Sequence, residues 1–261
     1  MGTIELPDLP PTTILLVEVG STAHGTGIPG GEDYDQLGVV VETSGQVLGL
    51  DERGFATVMQ RTQPDGARSG PGDVDRTLYP LRRFLRLAAS GNPSILMAFW
   101  APVDLASSEG RSLQALGDAF IGRHIVPRYR GYMQSQARRL LGTAGGAHGR
   151  PRTELDAAHG YDTKYAMHSA RLGYQCIELL TTGRLELPVQ GAPADWLRAV
   201  RRGEIEFGEW WERVLALDAR LAELETDARL PDGPDRDRIE RWSIETHRSM
   251  WDGSAAAPAP G

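Results

Sequence analysis

Two apolar segments of strand length, separated by a glycine-rich stretch, constrain the fold of this chain more than any other feature. ILLVEV (14–19) and LGVVVE (37–42) are rich in β-branched residues and have the length of buried strands. Between them the chain passes through Gly20-Ser21 and the acidic motif EDYD (32–35). The pattern predicts two strands, with a polar turn after the first and two aspartates at the start of the second.

The two aspartates of this motif indicate a metal site. Side chains alternate along a strand, so Asp33 and Asp35 would project from one face, about 6.5 Å apart. Carboxylates so placed repel each other, and a divalent cation between them would remove the repulsion. Carboxylate and water ligands suit Mg²⁺, with Mn²⁺ as the alternative ion, and two such ions can clamp the attacking and leaving oxygens of a phosphoryl transfer.

The Gly-Ser turn predicts an anion site that complements the metal site. A turn from strand to helix there would offer backbone N–H groups and the Ser21 hydroxyl to phosphate oxygens, and Gly20 would allow close approach of the backbone. The alternating run DVDRTLY (73–79) predicts a further strand. Either of its aspartates, Asp73 or Asp75, would supply a third carboxylate, which is suited to metal binding and to general base catalysis.

The rest of the sequence pattern divides the chain into a first part that mixes strands and helices and a second part that is helical. A weaker strand is predicted at 55–61 and a loop at 62–72. Helical periodicity begins at Pro80, which suits a first helical turn, and a helix from there is ended by residues 90–93; further helices are predicted near 93–100, 110–122, 124–142, 161–183, 193–202, 207–227 and 235–251. We predict an α+β fold with a catalytic module at 1–105, a helical region at 106–252 that completes the cleft, and a disordered tail at 253–261. The glycine-rich segment 142–153 is a candidate mobile loop.

Composition narrows the classes of function. The net charge of −7 argues against a broad basic groove for duplex nucleic acid. The single cysteine, Cys176, can form neither an internal disulfide nor a cysteine-rich metal site, which fits a reducing cytoplasm. The first residues lack the pattern of a secretory signal, and no apolar run approaches the roughly 18 residues of a membrane span. We expect a cytoplasmic protein without membrane contact, and a homodimer stays an open alternative.

The segments GSTAHG (20–25) and EDYDQLG (32–38) resemble the Gly-Ser…Asp-x-Asp signature of polymerase-β-type nucleotidyltransferases. LYPLRRFLRLAASGNPSIL (78–96), YDTKYAMHSARLGYQCIELLTTGRLELP (161–188) and the spacing between them are similar to the RNA-repair-associated polymerase-β-like group. The resemblance covers roughly residues 14–190. It implies a small mixed sheet with flanking helices, two Mg²⁺ ions, and transfer of a nucleoside monophosphate from an NTP, ATP among them, with release of pyrophosphate.

The resemblance also assigns roles to individual positions. It implies phosphate binding by Gly20 and Ser21, and metal binding and catalysis by Asp33, Asp35 and Asp75. Asp75 is favoured over Asp73 as the third carboxylate because its local run fits the family pattern better. Two positions depart from that pattern: Glu32 replaces the usual serine before the first aspartate, and Met97 stands where relatives often carry glutamate.

A basic stripe provides a second candidate group for phosphate binding. Lys164, His168 and Arg171 lie at i, i+4 and i+7 and therefore share one face of a helix. Facing the cleft, they would neutralise a triphosphate. The rival group is formed by Arg82, Arg83 and Arg86 on an earlier helix.

Two interpretations of the whole protein follow. The first is a Mg²⁺-dependent nucleotidyltransferase whose acceptor is an RNA end, a protein or a small molecule. The second is a catalytically weak nucleotide-binding or interaction module, for example a component of a toxin–antitoxin or phage-defence pair. The intact aspartate pair and the intact Gly-Ser pair favour the first.

Overall fold

The first part of the protein contains a five-stranded mixed sheet. The structure is a computed structural model that describes residues 5–27, 33–50, 56–64, 69–140 and 159–255. In chain order its strands are β1 (Thr13–Val19), β2 (Tyr34–Val40), β3 (Val58–Arg61), β4 (Val74–Pro80) and β5 (Val103–Ala106). The spatial order is β3-β4-β2-β1-β5. β2 and β4 run parallel, and the other neighbours are antiparallel.

Helices flank the sheet within the first part of the chain and form most of the later chain. Short helices are α1 (Gly20–His24), α2 (Ser44–Leu48), α4 (Pro93–Leu96) and α5 (Ser108–Gln114). Longer helices are α3 (Leu81–Ala89), α6 (Val126–Leu140), α7 (Thr163–Thr182), α8 (Gly191–Arg202), α9 (Phe207–Glu225) and α10 (Arg236–Ala255). Single turns of 3₁₀ helix span Met97–Phe99, Gly117–Phe120 and Arg123–Ile125. The predicted α+β class, with a small mixed sheet and a mainly helical later region, is confirmed.

β3 begins at Val58 rather than at the predicted residue 55, and β2 and β5 also differ from their predictions. β2 begins at Tyr34, three residues before the predicted start, because the Tyr34 N–H donates to the Asp73 carbonyl at 2.8 Å and Asp35 pairs with Asp75 on β4. β5 was not predicted. It is a short edge strand whose residues 103–105 are exposed, so it carries no apolar run by which a buried strand would be recognised.

The apolar halves of the strands form the core of the sheet. Leu15, Val17 and Val39 are fully buried. On the other face Leu16, Val40 and Leu78 form a second cluster, and Gly38 has no room for a side chain because a Cβ there would meet a Leu78 methyl group at 2.5 Å. The polar halves of β2 and β4 are only partly buried. One end of the sheet is therefore apolar and the other is left for polar side chains.

The chain forms two compact units. The first contains residues 1–89, 95–119 and 235–261, and the second contains 90–94 and 120–234. Packing therefore does not follow sequence order, since α10 joins the first unit. The predicted functional boundary near residue 105 stays a prediction. The candidate loop at 142–153 and the last six residues of the predicted tail lie outside the described residues, while 253–255 continue α10.

A buried acid–base pair attaches α10 to the sheet. His247 Nε2 lies 3.4 Å from Glu42 Oε2, and both side chains are less than 10% exposed. The backbone N–H of Arg82 also donates to Glu42, and the Trp251 indole donates to the Glu42 carbonyl at 2.8 Å. Burial would lower the pKa of His247, but its bonds to Glu42 and to the Ser243 carbonyl outweigh burial and raise it. Burial is the largest single influence on Glu42 and would raise its pKa, but the bond to His247, the backbone hydrogen bonds and the His247 charge together outweigh burial and lower that pKa.

These shifts predict a pH-dependent attachment of α10. A raised histidine pKa stabilises the fold below about pH 6.5 and loses that effect as pH rises through the folded-state pKa. A lowered glutamate pKa stabilises the fold above its ordinary value and loses the effect as pH falls through the folded-state value. We expect His247→Gln to cost about 1.5–3 kcal/mol of unfolding free energy near pH 6, and less near pH 9. Urea denaturation at both pH values measures this, and an equal cost at both would contradict it.

Candidate active site

The candidate site lies at the end of the sheet where β1 and β3 finish and β2 and β4 begin. Across this end, Val19, Asp35, Asp75 and Arg61 are successive partners on the ladders of β1, β2, β4 and β3. Directly paired residues point to the same face of a sheet. The parallel pairing of β2 with β4 therefore places the aspartates of two separate sequence motifs side by side.

Three predicted carboxylates meet at this end. Asp33, Asp35 and Asp75 each offer an oxygen, and these oxygens all lie within 4.8 Å of one another. All three side chains are partly buried. Three carboxylates so close suit a hard divalent cation, which takes oxygen ligands and offsets their mutual repulsion. The donor set therefore fits the predicted Mg²⁺ or Mn²⁺.

The predicted Gly-Ser turn borders this cluster. β1 ends at Val19, and Gly20 and Ser21 open the short helix α1, as predicted. Gly20 has φ +79°, a conformation that favours glycine, and a Cβ at this position would collide with the Asp35 carboxylate. A larger residue is therefore excluded by backbone conformation and by the adjacent aspartate together.

Asp75 is held by three side chains from β3 and the loop that follows. Gln63 Nε2 donates to Asp75 Oδ1 at 2.8 Å, and the Ser69 hydroxyl donates to Oδ2 at 2.8 Å. Arg61 Nε lies 3.6 Å from Oδ1. Sequence reasoning missed Gln63 and Ser69, because they stand in a segment with the composition of an ordinary turn and no motif marks them.

Asp73, the second candidate for the third carboxylate, has different partners. Its Oδ1 accepts from the Thr62 hydroxyl at 3.2 Å and its Oδ2 accepts from the Gly70 backbone N–H at 2.9 Å. These bonds close the loop between β3 and β4. The structure thus brings Asp75 into the acidic cluster and places Asp73 at the base of the loop.

The basic stripe belongs to the second unit and is described by itself. Lys164 is exposed on α7, His168 is half-buried, and Arg171 is only 8% exposed. Burial, with smaller effects of Lys164 and Arg139, lowers the pKa of His168 to about 4, so the ring is neutral near pH 7. Its Nδ1 can then accept from Arg171, which lies 2.7 Å away. His168 is placed to orient Arg171 and adds no charge of its own.

Arg171 is a buried cation without an acidic partner in the described part of the chain. Its Nε has no hydrogen-bond partner among the residues that the structure describes, and burial lowers its pKa to about 9. It lines a cavity of about 280 Å³ together with residues of α7, of α8 and of the segment between them, including Gln175, Glu178 and Glu186. A buried guanidinium in this state is suited to an anionic ligand.

The remaining predicted positions lie elsewhere. Arg82, Arg83 and Arg86, the rival basic group, are exposed on α3. Met97, where relatives often carry glutamate, is buried in a 3₁₀ turn, and Glu32 lies outside the described residues. None of the helices in the described ranges has the length and apolar character of a membrane span.

Comparisons with known proteins address the reaction class. A solved structure described as a nucleotidyltransferase-like protein from Exiguobacterium sibiricum 255-15 is 11% identical, and the match covers 82% of this chain and 69% of that one. Its TM-score of 0.29 is too low to bear on fold or function. No curated protein matches the chain. The sequence model of the RNA repair pathway DNA polymerase beta family matches residues 8–245. This match spans most of the chain, including Asp33, Asp35 and Asp75, and the protein therefore belongs to the RNA repair pathway DNA polymerase beta family.

Proposed function

We propose that the protein is a metal-dependent nucleotidyltransferase, which moves a nucleoside monophosphate from an NTP to an acceptor hydroxyl and releases pyrophosphate. The observation that carries this proposal is the convergence of Asp33, Asp35 and Asp75 beside the Gly20 turn. Membership of a polymerase-β-type family supports the reaction class. A cluster of carboxylates with no ligand to bind would only destabilise the sheet end, which favours an enzyme over a catalytically weak module.

The three aspartates are the proposed ligands of Mg²⁺, with Mn²⁺ as the alternative. Bound there, a divalent cation would neutralise charge on the triphosphate and on the departing pyrophosphate. Gly20 and Ser21 are the proposed contacts for the β- and γ-phosphates, through the backbone at Gly20 and the hydroxyl of Ser21. Because Gly20 carries no Cβ, phosphate oxygens and the Asp35 carboxylate can approach the same stretch of backbone.

In the proposed reaction the acceptor oxygen forms a bond to the α-phosphorus. The bond from that phosphorus to the oxygen bridging to the β-phosphorus breaks, and pyrophosphate leaves with the electron pair. Asp75 is the proposed base for the hydroxyl proton, since each of its oxygens keeps a lone pair beside the bond it already accepts. The acceptor that we propose is the 3′ hydroxyl of an RNA end, because the family is named for RNA repair.

Lys164, His168 and Arg171 are proposed as further phosphate-binding residues. The support comes from Arg171, whose buried charge has no acidic partner in the described ranges, and from His168, which accepts a hydrogen bond from it. An anionic group would satisfy this guanidinium with charge-assisted hydrogen bonds. Lys164 is exposed on the same helix face and would add a second positive charge.

Transfer of label tests the proposed reaction. Incubation with Mg²⁺ and each α-³²P-labelled NTP should label RNA that ends in a 3′ hydroxyl and leave RNA that ends in a 3′ phosphate unlabelled. Asp35→Asn should lower the rate by at least about 100-fold, because it removes a charged ligand at the reacting phosphate. Asp195→Asn on the exposed surface of α8 is the matched control. Label found in protein or in small molecules instead of RNA would show that the proposed acceptor is wrong. The absence of both label transfer and pyrophosphate release would show that the proposed enzymatic activity is wrong.

Gly20→Ala tests the Gly-Ser turn. The variant should lose most of its activity, because the new methyl group displaces the Asp35 carboxylate and the positive φ is strained. Gly183→Ala is the matched control, since Gly183 has φ +76° and none of the described residues lies within 4 Å of an added Cβ. Both variants should lose about 1 kcal/mol of unfolding free energy from backbone strain, and only Gly20→Ala should lose activity. Equal activities of the two variants would contradict the proposed role.

Arg171→Met distinguishes a phosphate ligand from a structural arginine. It keeps an apolar stem and removes a buried charge that has no acidic partner among the described residues, so the unfolding free energy should stay the same or rise, while KM for the NTP should rise about tenfold. Arg130→Met is the contrast, because Arg130 pairs with Asp218 at 2.8 Å and Glu225 at 3.2 Å. That variant should lose about 1–3 kcal/mol with KM unchanged. Urea denaturation and steady-state kinetics measure both, and a destabilised Arg171→Met with normal KM would make the residue structural.

A further inference from the structure

Described residues from both ends of the segment between β3 and β4 contact the carboxylate of Asp75. Gln63, on one side of the loop, is 6% exposed and donates from Nε2 to Asp75 Oδ1 at 2.8 Å and to Ser69 Oγ at 2.6 Å. Ser69, on the other side, donates to Asp75 Oδ2 at 2.8 Å. Each carboxylate oxygen thus receives one neutral donor, and the two donors are bonded to each other.

A second aspartate fixes both sides of this arrangement. Asp73 Oδ1 accepts from the hydroxyl of Thr62, the residue before Gln63, and Asp73 Oδ2 accepts from the N–H of Gly70, the residue after Ser69. The Thr62 hydroxyl also accepts from the Val74 N–H at 2.8 Å. Asp73 therefore holds the neighbours of both donors at the start of β4.

The hydrogen bonds from Gln63 and Ser69 counteract the repulsion among the three carboxylates. The charges of Asp33 and Asp35 repel Asp75, and rotation about the last torsion of an aspartate is soft, so an unsupported carboxylate would turn away. Two donors on opposite oxygens fix the plane of the carboxylate and leave one lone pair on each oxygen. Because an amide and a hydroxyl are neutral, they hold the carboxylate without competing electrostatically with a cation.

We propose that Gln63 and Ser69 are positioning residues, which hold the Asp75 carboxylate ready for a divalent cation, and that Asp73 supports both of them. The inference rests on the proposed metal-dependent transfer. It assigns Asp73 a role distinct from metal binding, although Asp73 and Asp75 belong to one D-x-D motif. Arg61 Nε, at 3.6 Å from Asp75 Oδ1 on a side chain that is 43% exposed, contributes only a longer contact.

Direct binding of Mn²⁺ to the full chain, followed by electron paramagnetic resonance, tests the inference without relying on activity. Gln63→Leu and Ser69→Ala should each weaken Mn²⁺ binding by about 10–100-fold, the usual effect of removing a hydrogen bond to a metal ligand. Ser69→Thr keeps the hydroxyl and should bind within a few-fold of wild type. Gln60→Leu is the matched control. Gln60 pairs with Arg76 on β4 and contacts its side chain, so it lies on the face of the sheet opposite to Asp75.

A double-mutant comparison shows whether the effect passes through Asp75. In an Asp75→Asn background, Gln63→Leu should weaken Mn²⁺ binding no further, because the carboxylate that it positions is gone. Asp73→Ala should weaken binding in the wild-type background and should not abolish it. A binding loss that persists undiminished in the Asp75→Asn background would overturn the inference.

The inference and the proposed function can fail separately. If wild type binds Mn²⁺ and both Gln63→Leu and Ser69→Ala bind it equally well, the positioning role is wrong while the metal site stands. If the variants behave as expected but no label is transferred to any acceptor, the positioning role stands and the proposed reaction is wrong. Thermal unfolding of each variant identifies a folding defect. If Gln63→Leu has such a defect, the comparison of Ser69→Ala with Ser69→Thr decides whether the positioning role holds, because this pair changes only a partly buried loop residue.

Discussion

The parallel alignment of β2 with β4 is the constraint on which the candidate site depends. In this register Asp35 lies opposite Asp75, so two motifs separated by about 40 residues share one face at one end of the sheet. A slip of one residue would send every side chain of a strand to the opposite face. Two unit charges about 4 Å apart repel by about 4 kcal/mol at an effective dielectric constant near 20, so the register must be secured elsewhere in the strands.

The second halves of the same strands secure it. β2 changes from partly buried residues at 34–36 to buried residues at 37–40, and β4 buries Leu78 and Pro80 near its end. Parallel pairing matches polar half with polar half and apolar half with apolar half, whereas antiparallel pairing would set acidic residues opposite the core. The close approach of Leu78 to Gly38 admits no other side chain at that point. Hydrophobic burial at one end thus holds together like charges at the other.

Sequence patterns predicted the parts of this arrangement that are local. The apolar runs, the strand-to-helix turn at Gly20 and the Asp33 and Asp35 pair are each contained in a few consecutive residues. β5 escaped prediction because an exposed edge strand lacks periodic burial, and the link between Glu42 and His247 joins residues 205 positions apart. Gln63 and Ser69 escaped because glutamine and serine are ordinary loop residues. Their role becomes visible only in the folded chain, where both side chains donate hydrogen bonds to Asp75.

The two D-x-D motifs have the same spacing but different surroundings in the fold. In both, alternation places the aspartates on one face, yet DYD supplies two members of the acidic cluster and DVD supplies one. Asp73 stands before the first residue of β4, where the Thr62 hydroxyl and the Gly70 N–H are within reach, and these two donors satisfy both of its oxygens. Asp75 lies one step inside the ladder and faces Asp35. Spacing makes the two residues equivalent, and the hydrogen-bond donors that tertiary structure brings to each of them distinguish a residue that supports the loop from a candidate metal ligand.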